Sequence, residues 1–171
     1  MTLQYQLIER LQSKYPLVVL LEETPAGSKL GELCETFNLP YMFAKPVNST
    51  KGKLESITGQ SHRSLKLRLF ALTMFDKIVY LDTDILVLQN IDELFGYNET
   101  LTAAWDPGAV GVHNSGVMVL RPNVTFSDGL LNSSFVSYNG GDQGYLHNVV
   151  NSDEWKELPQ HYNVLWRSHQ V

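Results

Sequence analysis

The sequence predicts an α/β domain, a mostly parallel sheet with helices on both sides. Three observations carry this. Short apolar runs at residues 17–21, 77–81 and 117–120 place apolar side chains on both faces, as strands buried inside a layered sheet do. Segments with helical spacing separate these runs, and strands alternating with helices wind a sheet between helical layers. Asp82, Asp84 and Asp106 fall just past the ends of such strands, which is where sheets of this kind bind ligands.

Leu3, Leu7, Ile8 and Leu11 recur at helical intervals, and Pro16 ends their segment. Residues 17–21 read as a buried parallel strand and 24–28 as a turn around Pro25 and Gly27. A short helix at 30–37 is stopped by Asn38 and Pro40. A weaker strand at 41–47 is broken by Pro46, and the polar stretch 48–59, with Gly52 and Gly59, reads as a surface loop. Ser61 is a candidate N-cap for a helix over 61–75 that puts Leu65, Leu69, Leu72 and Phe75 on one face. The central strand at 77–81 ends at Asp82.

Residues 91–95 form a helical turn with Asp92 and Glu93 near its start. A strand at 101–105 runs into the turn Asp106-Pro107-Gly108. Residues 112–120 carry Asn114-Ser115-Gly116 ahead of a second buried run, which Pro122 ends. A helix is expected over 126–136. The polar turn at 139–144, Asn-Gly-Gly-Asp-Gln-Gly, opens another through Val150, and a last strand is expected at 163–166. No repeat, low-complexity segment or linker divides residues 1–171, so a single domain is expected.

Composition narrows the function. The 171 residues are 43% hydrophobic, enough to bury a core, and the net charge of -5 argues against a nucleic-acid groove. No stretch has the length and apolarity of a membrane span. Gln4, Gln6, Glu9 and Gln12 interrupt any apolar core of a signal peptide in residues 1–14. Cys34 is the sole cysteine, so no intrachain disulfide can form. These features lean towards a cytoplasmic protein. Four Asn-x-Ser/Thr sequons, at Asn48, Asn98, Asn123 and Asn132, lean the other way. Eleven asparagines would give about one or two such sequons by chance.

The chemistry concentrates at 77–88. Side chains at i and i+2 of a strand share a face, so Asp82 and Asp84 point to nearly the same place. Two unpaired carboxylates beside Ile85, Leu86 and Val87 would repel and lose solvation. Magnesium or manganese, which takes hard oxygen ligands and shares them with a diphosphate, removes both problems. The plainer reading is a solvated turn at a strand end.

The order Lys66…Asp82-Thr83-Asp84…Asn114-Ser115-Gly116…Gly140-Gly141-Asp142-Gln143-Gly144…Leu158-Pro159…Tyr162-Asn163 resembles glycosyltransferase family 8, the glycogenin-like enzymes. The resemblance implies a GT-A fold and retaining transfer of a hexose from a UDP-sugar to a carbohydrate or protein acceptor. It implies manganese (or magnesium) held by Asp82 and Asp84 against the donor diphosphate, and it allows a homodimer. It places Lys66, Thr83, Ser115 and Gly141 near the donor, Asp106 and Asn114 around the sugar ring, and Asp142 and Gln143 at the reacting centre. Asp142 could stabilise an oxocarbenium-like centre, act as nucleophile, or cap the helix that follows it. Lys66 could be a solvated helix residue and Asn114 could only close a turn. Tyr162 and Asn163 read as structural, and His161 and His169 as surface residues.

The chain departs from the family at both ends. The family's opening strand, which binds uracil and ribose, and its later His-x-x-Gly-x-x-Lys-Pro motif have no counterpart here. Asn139 stands where an acid is found and His113 where an aromatic is usual. The expectation is a shortened form with the metal–diphosphate half of the site and an incomplete nucleoside half. The alternative is a non-catalytic remnant that binds metal or sugar nucleotide weakly. A haloacid-dehalogenase-like phosphatase fits poorly, since Leu86 stands where its motif wants Thr.

Overall fold

A computed structural model describes residues 3, 5–47, 61–133, 137, 141–151 and 154–165, with the backbone alone at 61–64. The expected loop at 48–59, the sequon at Asn48, Asn139, Gly140, Trp166, His169 and the end of the 126–136 helix lie outside the described residues.

Two sheets form. In the smaller, Val19–Glu22 (β1) pairs in parallel with Tyr41–Ala44 (β2), and the helix Pro25–Thr36 (α1) connects them. This helix starts earlier than its expected 30–37. Thr24 is its N-cap, accepting from the Gly27 N–H at 3.1 Å, and Pro25 opens the first turn. A Cβ on Gly27 would stand 1.8 Å from the Glu22 carbonyl oxygen, so only glycine lets the helix begin this close to β1. Asn38 takes a left-handed φ of 52° and stops it.

The larger sheet has the order β3-β5-β4-β6, from Ile78–Leu81 (β3), Leu101–Trp105 (β4), His113–Leu120 (β5) and Trp155–Glu157 (β6). β5 pairs antiparallel with β3 and β4, and β6 pairs parallel with β4. Three strands therefore run one way and β5 runs back between two of them. The last strand is Trp155–Glu157 rather than 163–165, which is not a strand.

Both faces of this sheet are covered. Met118 and Leu120 of β5 join Leu101 and Ala103 of β4 beneath Leu67, Phe70, Leu130, Tyr145 and Leu146. Val117 and Val119 point the other way and join Ala104, Leu94 and Leu158. That period-2 split on one strand is the reason its sequence is apolar throughout. The helices Val124–Asn132 (α2) and Asp142–Val149 (α3) and the 3-10 helix Ser61–Ala71 lie over the first face. The last of these was expected as an α-helix over 61–75. It has three residues per turn instead, so Lys66 and Leu69 stack on one line. The 3-10 turn Asp92–Gly96 covers the second face through Leu94.

Candidate active site

The reversed strand assembles the site. β3 and β4 end at the sheet edge where β5 begins, so Asp82, Asp106 and the Asn114-Ser115-Gly116 segment meet there. The Asp82 N–H donates to the Gly116 carbonyl at 2.8 Å and carries the β3–β5 ladder into the turn.

Lys66 is the hub. Its Nζ lies 2.9 Å from Asp82 Oδ1, 3.0 Å from Asp82 Oδ2 and 3.1 Å from Asp142 Oδ2. It also donates to the Ser115 carbonyl and Oγ, each at 3.3 Å. The lysine side chain is 12% exposed and that of Asp142 is 6% exposed, so both charges are buried and each needs the other. Lys66 is thus not a solvated helix residue. The Tyr80 hydroxyl donates to Asp82 Oδ1 at 2.7 Å, and the ammonium sits 5.4 Å from the Tyr80 ring centre. Burial, and then the Asp82 charge that it faces, push the Tyr80 phenol far above its ordinary value of 10.0. It stays a proton donor.

Ser115 Oγ donates to Asp142 Oδ2 at 2.6 Å. Ser115 and Lys66 meet Asp142 at Oδ2, leaving Oδ1 with no hydrogen bond among the described residues. Asp142 is the first residue of α3, and Gly141 is the N-cap. The capping reading of Asp142 is therefore corrected: its carboxylate is spent on Ser115 and Lys66.

A second network adjoins the first. Gln143 Nε2 donates to Asp106 Oδ2 at 2.7 Å, and Asn114 Nδ2 approaches the same oxygen at 3.5 Å. Asp106 Oδ1 takes the Gly108 N–H at 2.7 Å, which closes the predicted turn. Asn114 Oδ1 accepts from the Gly116 N–H and from Asn163 Nδ2, both at 2.8 Å. Asn114 closes a turn and belongs to the network at once. A Cβ on Gly116 would stand 2.9 Å from Asn114 Oδ1 and 3.4 Å from Asp82 Oδ2, so glycine is what lets the two networks touch.

Three residues were missed from sequence. Tyr80 shares the strand face of Asp82 two positions on, a signal that was available. Asn163 had been read as structural, yet it is buried at 4% exposure against Asn114. Gly116 was legible only as part of Asn-Ser-Gly. Tyr162 is structural as expected, donating to Glu93 Oε1 at 3.0 Å.

Beside the site, His113 is stacked between Trp105 at 4.0 Å and Trp155 at 4.3 Å between ring centres. Burial lowers its pKa below the ordinary 6.5, against a smaller upward pull from Glu157. A flat ring is all this sandwich requires, which is how histidine can occupy a position expected to be aromatic.

Thr83 and Asp84 are exposed in the turn beyond β3. Asp84 has no hydrogen bond or ion pair among the described residues, and no group of three or more Asp, Glu, His or Cys converges there. The expected convergence of Asp82 and Asp84 on one cation is therefore not assembled among the described residues: Asp82 is held by Lys66 and Tyr80, and Asp84 stands apart in the turn. Of the other acids on this edge, Asp106 is held by Gln143 and the Gly108 N–H, and Asp142 by Ser115 and Lys66. Magnesium and manganese are commonly held by one or two carboxylates, with substrate phosphates completing the shell.

The architecture is a GT-A-like α/β fold. It matches the glycosyltransferase GlyE of Streptococcus pneumoniae TIGR4 with a TM-score of 0.59, over 86% of this chain and 38% of that one, at 19% identity. No protein-family model matches the chain. Curated sequences do. UDP-glucuronate:xylan alpha-glucuronosyltransferase 1 of Arabidopsis thaliana is 35% identical over 162 residues, 94% of this chain and 23% of the relative. Glycogenin-1 of Oryctolagus cuniculus is 46% identical over 105 residues, 58% of this chain and 31% of the relative. These homologues, the glycogenins and the xylan glucuronosyltransferases, are members of glycosyltransferase family 8, the family whose motif order the sequence resembles. The chain spans under a third of the length of these curated relatives.

Proposed function

We propose that this chain carries the diphosphate- and sugar-facing part of a retaining, manganese-dependent transferase that moves a hexose from a UDP-sugar to a carbohydrate or protein acceptor. The observation that carries the proposal is the Lys66 hub, a buried ammonium bridging Asp82 at the strand end and Asp142 at the helix start. Asp82 and Asp84 would hold the cation, which when bound neutralises charge on the diphosphate oxygens.

The chain's own groups supply the rest. Lys66 offers a fixed positive charge where the leaving UDP gains negative charge, and a preorganised donor of this kind is worth about 3 kcal/mol. Tyr80 and Lys66 orient Asp82. Ser115 and Lys66 orient Asp142, whose Oδ1 could meet the sugar ring as stabiliser or nucleophile. Gln143, Asp106, Asn114 and Asn163 form a chain of amides and a carboxylate suited to sugar hydroxyls, which need both donors and acceptors.

The test is UDP release from UDP-sugars by the full-length protein. Release that requires manganese and is lost in Asp84→Asn supports the proposal. Release that is absent from wild type, with weak UDP binding by calorimetry, favours the non-catalytic remnant.

A further inference from the structure

The transferase reading leaves the sequons unused, and two of them meet in the fold. Asn98 precedes β4 and Asn123 follows β5, at the edge of the sheet opposite the candidate active site. Both asparagines are exposed. With Thr100 and Thr125, the hydroxyl residues of the same two sequons, they line one open groove of about 530 Å³, together with Arg121 and Glu154.

We propose that Asn98 and Asn123 carry N-linked oligosaccharides. In each, the hydrogen bonding falls on the carbonyl side of the amide. Asn98 Oδ1 accepts from Lys77 Nζ at 3.1 Å, and Asn123 Oδ1 accepts from the Phe126 N–H at 2.9 Å as the N-cap of α2. Neither Nδ2 donates a hydrogen bond among the described residues. Modification occurs at Nδ2: this nitrogen bonds to C1 of an oligosaccharide carried on a lipid diphosphate, the C1–O bond breaks, the diphosphate leaves with the electron pair, and one amide proton passes to base. The carbonyl oxygen survives, so the helix cap and the Lys77 contact survive with it.

The placement also spares the candidate active site. Asn98 lies eight positions before Asp106 along β4, and Asn123 nine after Asn114 along β5. At the strand rise of about 3.3 Å per residue, the length of β5 alone separates the two edges by roughly 23 Å. Glycans on this groove would shield it and leave the donor edge open. The proposal places the chain in a secretory lumen, where such lipid-linked donors act, in place of the cytoplasm suggested by residues 1–14. It stands independently of the transferase reading.

The experiment uses the protein isolated from its own cells, treated with peptide N-glycosidase in 18O-labelled water and digested. Expected is conversion of Asn98 and Asn123 to 18O-labelled Asp, with one mobility step lost on gels in each of Thr100→Ala and Thr125→Ala. Recovery of either peptide chiefly as unmodified Asn from the wild-type protein overturns the assignment, whatever the variants do.

Discussion

Replacing Lys66 with methionine removes the ammonium and keeps the length of the stem. Asp82 and Asp142 then face each other without their shared counter-ion. Two contacts near 3 Å are each worth about 5 kcal/mol of Coulomb attraction at an effective dielectric of about 20, before desolvation is counted. Removing one partner of a buried pair costs about 3–5 kcal/mol in total. Asp82 is 30% exposed, so water recovers part of the loss, and about 3 kcal/mol of lost stability is expected. Urea unfolding followed by tryptophan fluorescence measures it, with Trp105 and Trp155 in the larger sheet as reporters. If the cost comes from stranded carboxylate charge, adding Asp142→Asn to Lys66→Met should return about half or more of it. A Lys66→Met loss under about 0.5 kcal/mol, the range of an ordinary surface change, would refute the hub. So would a double variant no more stable than the single one.

Two further outcomes follow from the same edge. Gly116→Ala puts a methyl 2.9 Å from Asn114 Oδ1 at a buried strand position, so UDP release should fall at least about tenfold and stability by about 1–3 kcal/mol as the neighbours give way; unchanged turnover would contradict the coupling of the two networks. His113 has a folded pKa below its ordinary 6.5, so the unfolded chain binds the proton more readily, and stability should drop as pH falls below 6.5 towards the folded value. His113→Phe should flatten that slope in thermal melts across this window, and an unaltered slope would assign it to other groups.

Much of the fold was readable because burial on both faces leaves a mark. Met118 and Leu120 serve one core and Val117 and Val119 the other, so 117–120 could only be an interior strand. The direction of that strand left no mark, because an apolar run reads the same whichever way it is threaded. The helix at 61–71 misled for a related reason. Leu65 and Leu69 fit a 3.6-residue period, but the fully buried pair is Leu67 and Phe70, three apart, as a 3-10 turn requires. β6 is only Trp-Lys-Glu with two exposed residues, a pattern that strand alternation cannot reveal. At the site, Asp82 and Asp106 were found from their positions at strand ends, and Lys66 and Asp142 only through the family resemblance. Asn163 was not, since a buried amide 49 residues from its partner Asn114 is visible only in three dimensions.

The reversal of β5 connects fold to chemistry. Were β5 parallel to its neighbours, Asn114, Ser115 and Gly116 would lie at the far edge of the sheet, beside Asn98. Asp142 would lose the Ser115 hydroxyl, and Lys66 would have no backbone carbonyl to complete its shell. Running backwards, β5 delivers three short polar residues into the gap between two acidic strand ends. Short side chains are required there. A Cβ on Gly116 would already crowd Asn114 and Asp82, and anything longer would push the two networks apart. An acid-rich edge, one buried lysine and a strand that starts small are therefore parts of a single arrangement, and altering any one should be felt at the others.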